Sequence, residues 1–176
     1  KQDADYQFIS ASENNAWLLN IRGRDTDYTP IPFSYILINK NKKIKFFCDL
    51  KKINGALRRK FNYIEFIQTE LVGKVLSNIN KKKFIIDKDT CSYYFENIIL
   101  KNNTIISLND PIYKFKAIKS KGEIQNIKKA HIYDGAALTK YLFWLKKNFY
   151  KKKITEMSAS KKLFKFRKRN NKFKFL

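Results

Sequence analysis

Histidine, glycine and cysteine are scarce in this chain, and each scarcity removes a class of chemistry. His131 is the single histidine in 176 residues. A dinuclear hydrolytic centre needs several carboxylates converging on metals about 3.5–4 Å apart. His131 with Asp134, three positions on, cannot supply it. Glu13, Asp25, Asp27, Glu65, Glu70, Asp87 and Asp89 follow no motif spacing. The five glycines are dispersed, so there is no Gly-rich cradle for phosphate. A triad built on His131 would need a nucleophile in a recognisable turn, and no G-x-S-x-G is present. Two cysteines, Cys48 and Cys91, make neither a disulfide framework nor a metal-ligand spacing. They are expected to be buried as small apolar side chains. No apolar run approaches the roughly 20 residues that cross a bilayer. No signal-peptide pattern is visible, although the chain opens on Lys1 rather than Met. No residue is therefore assigned a catalytic or metal-ligating role.

What is abundant is apolar, aromatic and basic. The chain is 44% hydrophobic and 15% aromatic, enough for a real core. It has 38 basic against 15 acidic residues, a net charge of +23. Such a balance points toward an anionic partner, nucleic acid or an acidic membrane surface. Only Arg22, Arg24, Arg58, Arg59, Arg167 and Arg169 are arginines, however, and phosphate-binding surfaces lean on the guanidinium fork. Lys, Asn, Ile, Phe and Tyr are raised together, as AT-rich codons would raise them. Nucleic acid and membrane are accordingly not expected as partners despite the charge. A basic, non-enzymatic binding module stays open as the alternative function.

Along the chain, residues 6–10 read as a strand. Ser12 caps a helix over 13–21, with Gly23 just past its end. Pro30 and Pro32 enforce an extended loop. Two apolar runs, 33–39 and 43–48, suggest a hairpin. Residues 51–61 and 71–79 have helical spacing, 83–87 a strand pattern, and 90–100 a helical one. Asn109-Asp110-Pro111 marks a turn, and 112–117 reads as a last short strand. The alternation predicts an α/β fold with a mixed sheet and flanking helices. The pattern then changes. Ser120 and Glu123 form an S-x-x-E capping box. Ile124, Ile127, Leu138, Leu142 and Leu145 lie on one face of a long helix ending near Asn148. Thr155 caps a second helix to about Arg169, with Ile154 as its staple residue. These two helices have no sheet of their own to rest on, so a second domain is expected from about residue 117.

Three stretches carry a family resemblance. The first runs Ala16-Trp17-Leu18-Leu19-Asn20-Ile21-Arg22-Gly23-Arg24-Asp25, followed by Pro30 and Ser34-Tyr35. The second comprises Lys116-Ala117-Ile118-Lys119, Glu123, Ala130-His131-Ile132, Asp134, Ala137-Leu138 and Trp144-Leu145. The third is Ile154-Thr155-Glu156 with Phe166-Arg167 beyond. In this order and spacing the chain resembles Xaa-Pro aminopeptidases, of the creatinase-like, pita-bread metallopeptidase family. The first stretch is similar to the second domain of the three-domain members, the others to the opening helices of their catalytic domain.

The resemblance implies that 4–116 form a creatinase-type N-terminal domain missing its start. Residues 117–176 would be the first helices of a truncated peptidase domain. It further implies a cytoplasmic parent enzyme that takes a peptide substrate and assembles as a homodimer. That parent would use two divalent metal ions, usually manganese. The family's ligands, two Asp, one His and two Glu, lie beyond this chain, so no cofactor is expected to be bound here. A separate chain carrying those ligands, as in a split peptidase, is a further alternative. Trp17, Arg22, Gly23, Asp25, Pro30, Ser34, Tyr35, Glu123, His131, Asp134 and Trp144 are the family-motif positions, with structural rather than catalytic roles. Gly23 is expected at positive φ, Arg22 and Asp25 to brace the loop together, Trp17 to pack in the core, and His131 to hydrogen-bond Asp134. The basic end, 161–174, interleaves Leu163, Phe164, Phe166, Phe173 and Phe175 with cations. It could bind an anionic surface, but it is read as a helix whose apolar face needs a missing sheet.

Overall fold

The computed structural model describes residues 3–151 and 153–173. Lys174 and Phe175 of the basic end lie outside them. The chain divides into two compact units, one through Ala117 and one from Ile118.

Six strands build the first unit: β1 (Tyr6–Ile9), β2 (Tyr35–Asn39), β3 (Ile44–Cys48), β4 (Ile64–Gln68), β5 (Lys83–Ile86) and β6 (Thr104–Ser107). They lie in the order β4-β3-β2-β1-β5-β6. β2 is antiparallel to β1 and to β3, and the remaining pairings are parallel. The sheet is therefore mixed, with β2 alone reversed.

Helices cover both faces, which explains why the strands are apolar at consecutive positions rather than alternately. Successive side chains point to opposite faces. Phe8, Leu37 and Phe47 enter one core with Val72 and Leu76 of α3 (Val72–Ser77) and Ile99 of α4 (Tyr93–Leu100). Their neighbours Ile9, Ile36 and Phe46 enter the other. There they meet Leu19, just after α1 (Ser12–Leu18), Leu57 of α2 (Gly55–Lys60) and Ile112 of α5 (Ile112–Ala117). Register aligns these rows: Ile9 faces Ile36, Ile36 faces Phe46, and Phe46 faces Phe66. The β2–β3 hairpin closes on Asn39, whose Oδ1 accepts from the amides of Asn41 and Lys43, with Lys42 at φ 62.

Several expectations are corrected. The segment 112–117 is the helix α5, because Asp110 accepts the Ile112 amide at Oδ1 and its carbonyl accepts from Tyr113, starting a helical turn. Strands β4 and β6 carry no expectation at all. Ser12 does not cap α1: Ala11 holds the cap position, and the Ser12 hydroxyl instead bridges to the backbone of Ser34. The helical pattern over 51–61 resolves into a 3-10 turn, Leu50–Lys52, and α2, each capped by its own side chain, Asp49 and Asn54.

The second unit is a pair of helices, α6 (Lys121–Asn148) and α7 (Glu156–Lys168), that contact each other. Ser120 and Glu123 form the expected reciprocal box at the start of α6. Thr155 caps α7 with Ser158 as its box partner. Ile124, Ile127, Leu138 and Leu142 on α6 stay exposed.

Phe47 is fully buried between strands and helix. Phe47→Ala is expected to cost about 3–5 kcal/mol in urea unfolding, whereas Tyr63→Ala, at a residue 61% exposed, should change stability by about 0.5 kcal/mol or less.

Candidate functional site at the carboxyl edge of the sheet

From β1 the chain builds outward through β2, β3 and β4, then returns to place β5 and β6 on the other side of β1. In open α/β sheets the carboxyl ends of the strands at such a reversal form the usual ligand crevice. Here it is closed by the protein's own side chains. The gap lined by Gln7, Ser10, Asp87, Thr90 and Asp110, among others, has no room for a water-sized guest.

What fills it is a buried polar network. Asn14, Asn15, Ser34, Asp87 and Asp110 are the buried polar side chains of the described residues. The Asp110 carboxylate accepts from Asn14 Nδ2 at 2.7 Å, the Ile112 amide at 3.1 Å and Gln7 Nε2 at 3.3 Å. Its own amide donates to Asp87 Oδ2 at 2.8 Å, and Asp87 Oδ1 accepts from the Asp89 amide. Lys116 Nζ donates to Asn14 Oδ1 at 2.6 Å and lies 4.3 Å from the centre of the Tyr113 ring. Tyr113 donates to Glu13 Oε1 at 2.8 Å. Burial, then this bond to a carboxylate, pushes the phenol up to about 12. The network thus ties α1 and α5 to the ends of β1 and β5.

Beside it the loop 22–33 carries the motif residues. Gly23 does not take positive φ; no glycine among the described residues does. It is needed for close approach: a Cβ there would sit 2.7–2.8 Å from the Pro32 backbone and ring. The left-handed turn falls on Asn20 instead, at φ 48. Asp25 does not pair with Arg22. Its Oδ2 accepts from the Phe33 amide and from Lys52 Nζ, both at 2.8 Å, with the side chain 4% exposed. Burial opposes its ionisation, but the Lys52 bond, the Phe33 amide and the Lys52 charge outweigh that and hold the carboxyl below its usual value. The same bond raises Lys52. Arg22 Nη1 donates to the carbonyls of Ile21 and Ala16. Pro30 accepts from the Gly23 amide. Ser34 gives its carbonyl to Asn15 Nδ2 at 2.8 Å, and its hydroxyl donates to Pro32. Tyr35 stacks on Phe8. Trp17 is 36% exposed and so is not a core residue; on α1 the buried positions are Asn14, Asn15 and Ala16.

In the second unit, Asp134 is held by Arg167 through Nε at 2.6 Å and Nη2 at 3.1 Å, not by His131, which is exposed. A bidentate guanidinium is the better partner for a carboxylate. Trp144 is half-buried under Lys162, whose Nζ lies 5.1 Å from the ring centre. Cys48 and Cys91 are buried, as expected, and burial pushes both thiols up to about 11. Among the described residues no three His, Cys, Asp or Glu side chains gather as a metal site would. None of their helices is long and apolar enough to cross a membrane.

Asn14, Lys52, Asp110 and Tyr113 are the site residues that sequence reasoning misses. For Asp110 a signal existed: Asp before Pro also starts helices, and only the turn was read from it.

An α/β unit with a reversed second strand, a filled carboxyl edge and a glycine-dependent loop is the architecture these residues define, and comparison supplies its class. Residues 1–123 match the family described as Creatinase/Prolidase N-terminal domain, and the chain belongs to that family. Its relatives are more particular. It is 34% identical over 98% of its length to Xaa-Pro aminopeptidase 1 of Dictyostelium discoideum, and 33% identical over 98% to Xaa-Pro aminopeptidase ApepP of Drosophila melanogaster. The chain spans 28% and 29% of those two proteins. The solved X-prolyl aminopeptidase of Caenorhabditis elegans, described as a cytosolic enzyme with a di-nuclear active site, superposes with a TM-score of 0.87 at 26% identity. That likeness covers 98% of this chain and 29% of the worm protein. Prolidase from Pyrococcus furiosus shares the fold at 18% identity and a TM-score of 0.59, over 94% of this chain and 45% of its own.

Two measurements test this geometry. Asp110→Ala leaves Asn14 Nδ2 and the Ile112 amide buried without an acceptor and should lower unfolding free energy by about 3 kcal/mol or more. A loss under about 0.5 kcal/mol would show the network to be dispensable. Because the folded pKa of Asp25 is depressed, its contribution is present above the unfolded value near 3.8 and fades as pH falls through the folded value. Asp25→Asn should therefore lower Tm at about pH 7 and flatten its fall below about pH 4.

Proposed function

We propose that this chain is the N-terminal-domain portion of a metal-dependent Xaa-Pro aminopeptidase, together with the opening helices of the peptidase domain. The parent enzyme removes the N-terminal residue from peptides with proline at position two, in the cytoplasm and as a homodimer. The chain's role is to frame the approach of substrate and to support assembly. Two divalent ions, usually manganese, would polarise the scissile carbonyl and supply a hydroxide when bound. No three His, Cys, Asp or Glu side chains gather among the described residues; the reading assigns the hydrolytic step to the further length that the relatives carry. The observation that carries the reading is the worm X-prolyl aminopeptidase, whose fold matches nearly all of this chain at a TM-score of 0.87.

Incubated with manganese and an Xaa-Pro peptide, the purified chain should release no amino acid above a metal-only control. A chimera in which this chain replaces the matched segment of the Dictyostelium relative should release the N-terminal residue, and only where proline follows it. Turnover by the chain alone, or a folded but inactive chimera, would overturn the proposal. Binding of RNA by the chain with submicromolar affinity at moderate salt and a steep salt slope would favour the basic-module alternative.

A further inference from the structure

Four non-glycine residues among those described have left-handed backbones: Asn20, Tyr28, Lys42 and Lys81. Asn tolerates that region, and the two lysines lie in exposed polar turns. Tyr28 is different. It sits at φ 68 in the turn closed by the Thr26–Thr29 bridge, a position glycine or asparagine fills at lower cost. Its ring does not compensate by packing, since the residue is 76% exposed. Phe33, at the other end of the same loop, is 60% exposed.

The loop beneath them is braced. Gly23 donates to Pro30 and abuts Pro32. The nearly buried Asp25 carboxylate ties the Phe33 amide to Lys52, which follows β3. A turn optimised only for folding would not place a bulky ring at its least tolerant position. Strain kept at an exposed residue on a braced frame is a common mark of a contact surface.

We infer that Tyr28 and Phe33, presented by the loop 22–33 at the carboxyl edge of the sheet, contact a proline-containing peptide, an inference that rests on the peptidase reading above. The proline ring is apolar, lacks an N–H and is held near the polyproline conformation, so it docks on aromatic faces at small entropic cost. A loop backbone already braced by Asp25, Gly23 and Pro32 loses little further freedom on binding.

The test is an NMR titration of the 176-residue chain with Ala-Pro-Pro-Ala, and with Ala-Gly-Gly-Ala for comparison. Amide resonances of 26–33 should shift saturably with the proline peptide and much less with the glycine one. Tyr28→Phe should bind as the parent does. Tyr28→Gly should bind about fivefold more weakly, the scale of one aromatic contact, while its Tm holds or rises because glycine accepts the backbone angle. Unmoved loop resonances at millimolar peptide, equal response to both peptides, or unchanged affinity in Tyr28→Gly would each overturn the inference. The chimera separates it from the peptidase reading. An active chimera whose KM ignores Tyr28→Gly removes the inference and leaves the reading, whereas loop binding with an inactive chimera does the reverse.

Discussion

The carboxylate of Asp110 is the point on which the first unit's carboxyl edge depends. A buried charge is tolerated only when its lone pairs are met, and here the donors come from β1, α1 and α5 at once. The backbone of the same residue holds Asp87, at the end of β5. One residue, through its side chain and its amide, therefore joins four elements. The cost is that the crevice where comparable sheets hold ligands is spent on internal bonding. The loops around that edge carry the motif residues of the first stretch.

The sequence disclosed the architecture better than the chemistry of its joints. Strands with both neighbours paired, such as β2 and β3, announce themselves through unbroken apolar runs, because each face is covered. The edge strands β4 and β6 are weaker signals: Ile64-Glu65-Phe66-Ile67-Gln68 mixes polar and apolar residues, and Thr104-Ile105-Ile106-Ser107 is short. Helix α5 is hidden because Tyr113-Lys114-Phe115-Lys116 alternates as a strand does, and only the Asp110 bonds decide for helix. The motif glycine is legible in the sequence, but the reason for it is not. Helix ends usually ask glycine for its backbone freedom; Gly23 supplies the absence of a side chain against Pro32. The pairing of Asp25 with Lys52 and of Asp134 with Arg167 joins residues far apart in sequence, which spacing does not reveal.

The charge is unevenly used. After Ile118 the acidic residues are Glu123, Asp134 and Glu156. Glu123 is committed to its helix cap, where bonds to Ser120 hold its carboxyl below the usual value, and Asp134 to Arg167. A few cations of this unit lie instead against aromatic rings: Lys162 with Trp144 and Phe166, Lys168 with Phe164, Arg169 with Phe166, and Lys172 with Tyr133. These contacts let long basic side chains shield apolar surface from water. They give a helix pair with exposed aliphatic positions a partial cover of its own.

The central place of β1 has a consequence for how the chain reaches this state. β1, β2 and β3 follow one another and can pair as a meander as soon as they leave the ribosome. The other side of β1 must wait for β5, and Gln7 meets Asp110 across 103 residues of sequence. Closing so long a loop is entropically slow. During synthesis one flank of β1 has no partner until β5 is made, and the Gln7–Asp110 bond cannot form before Asp110 has been added.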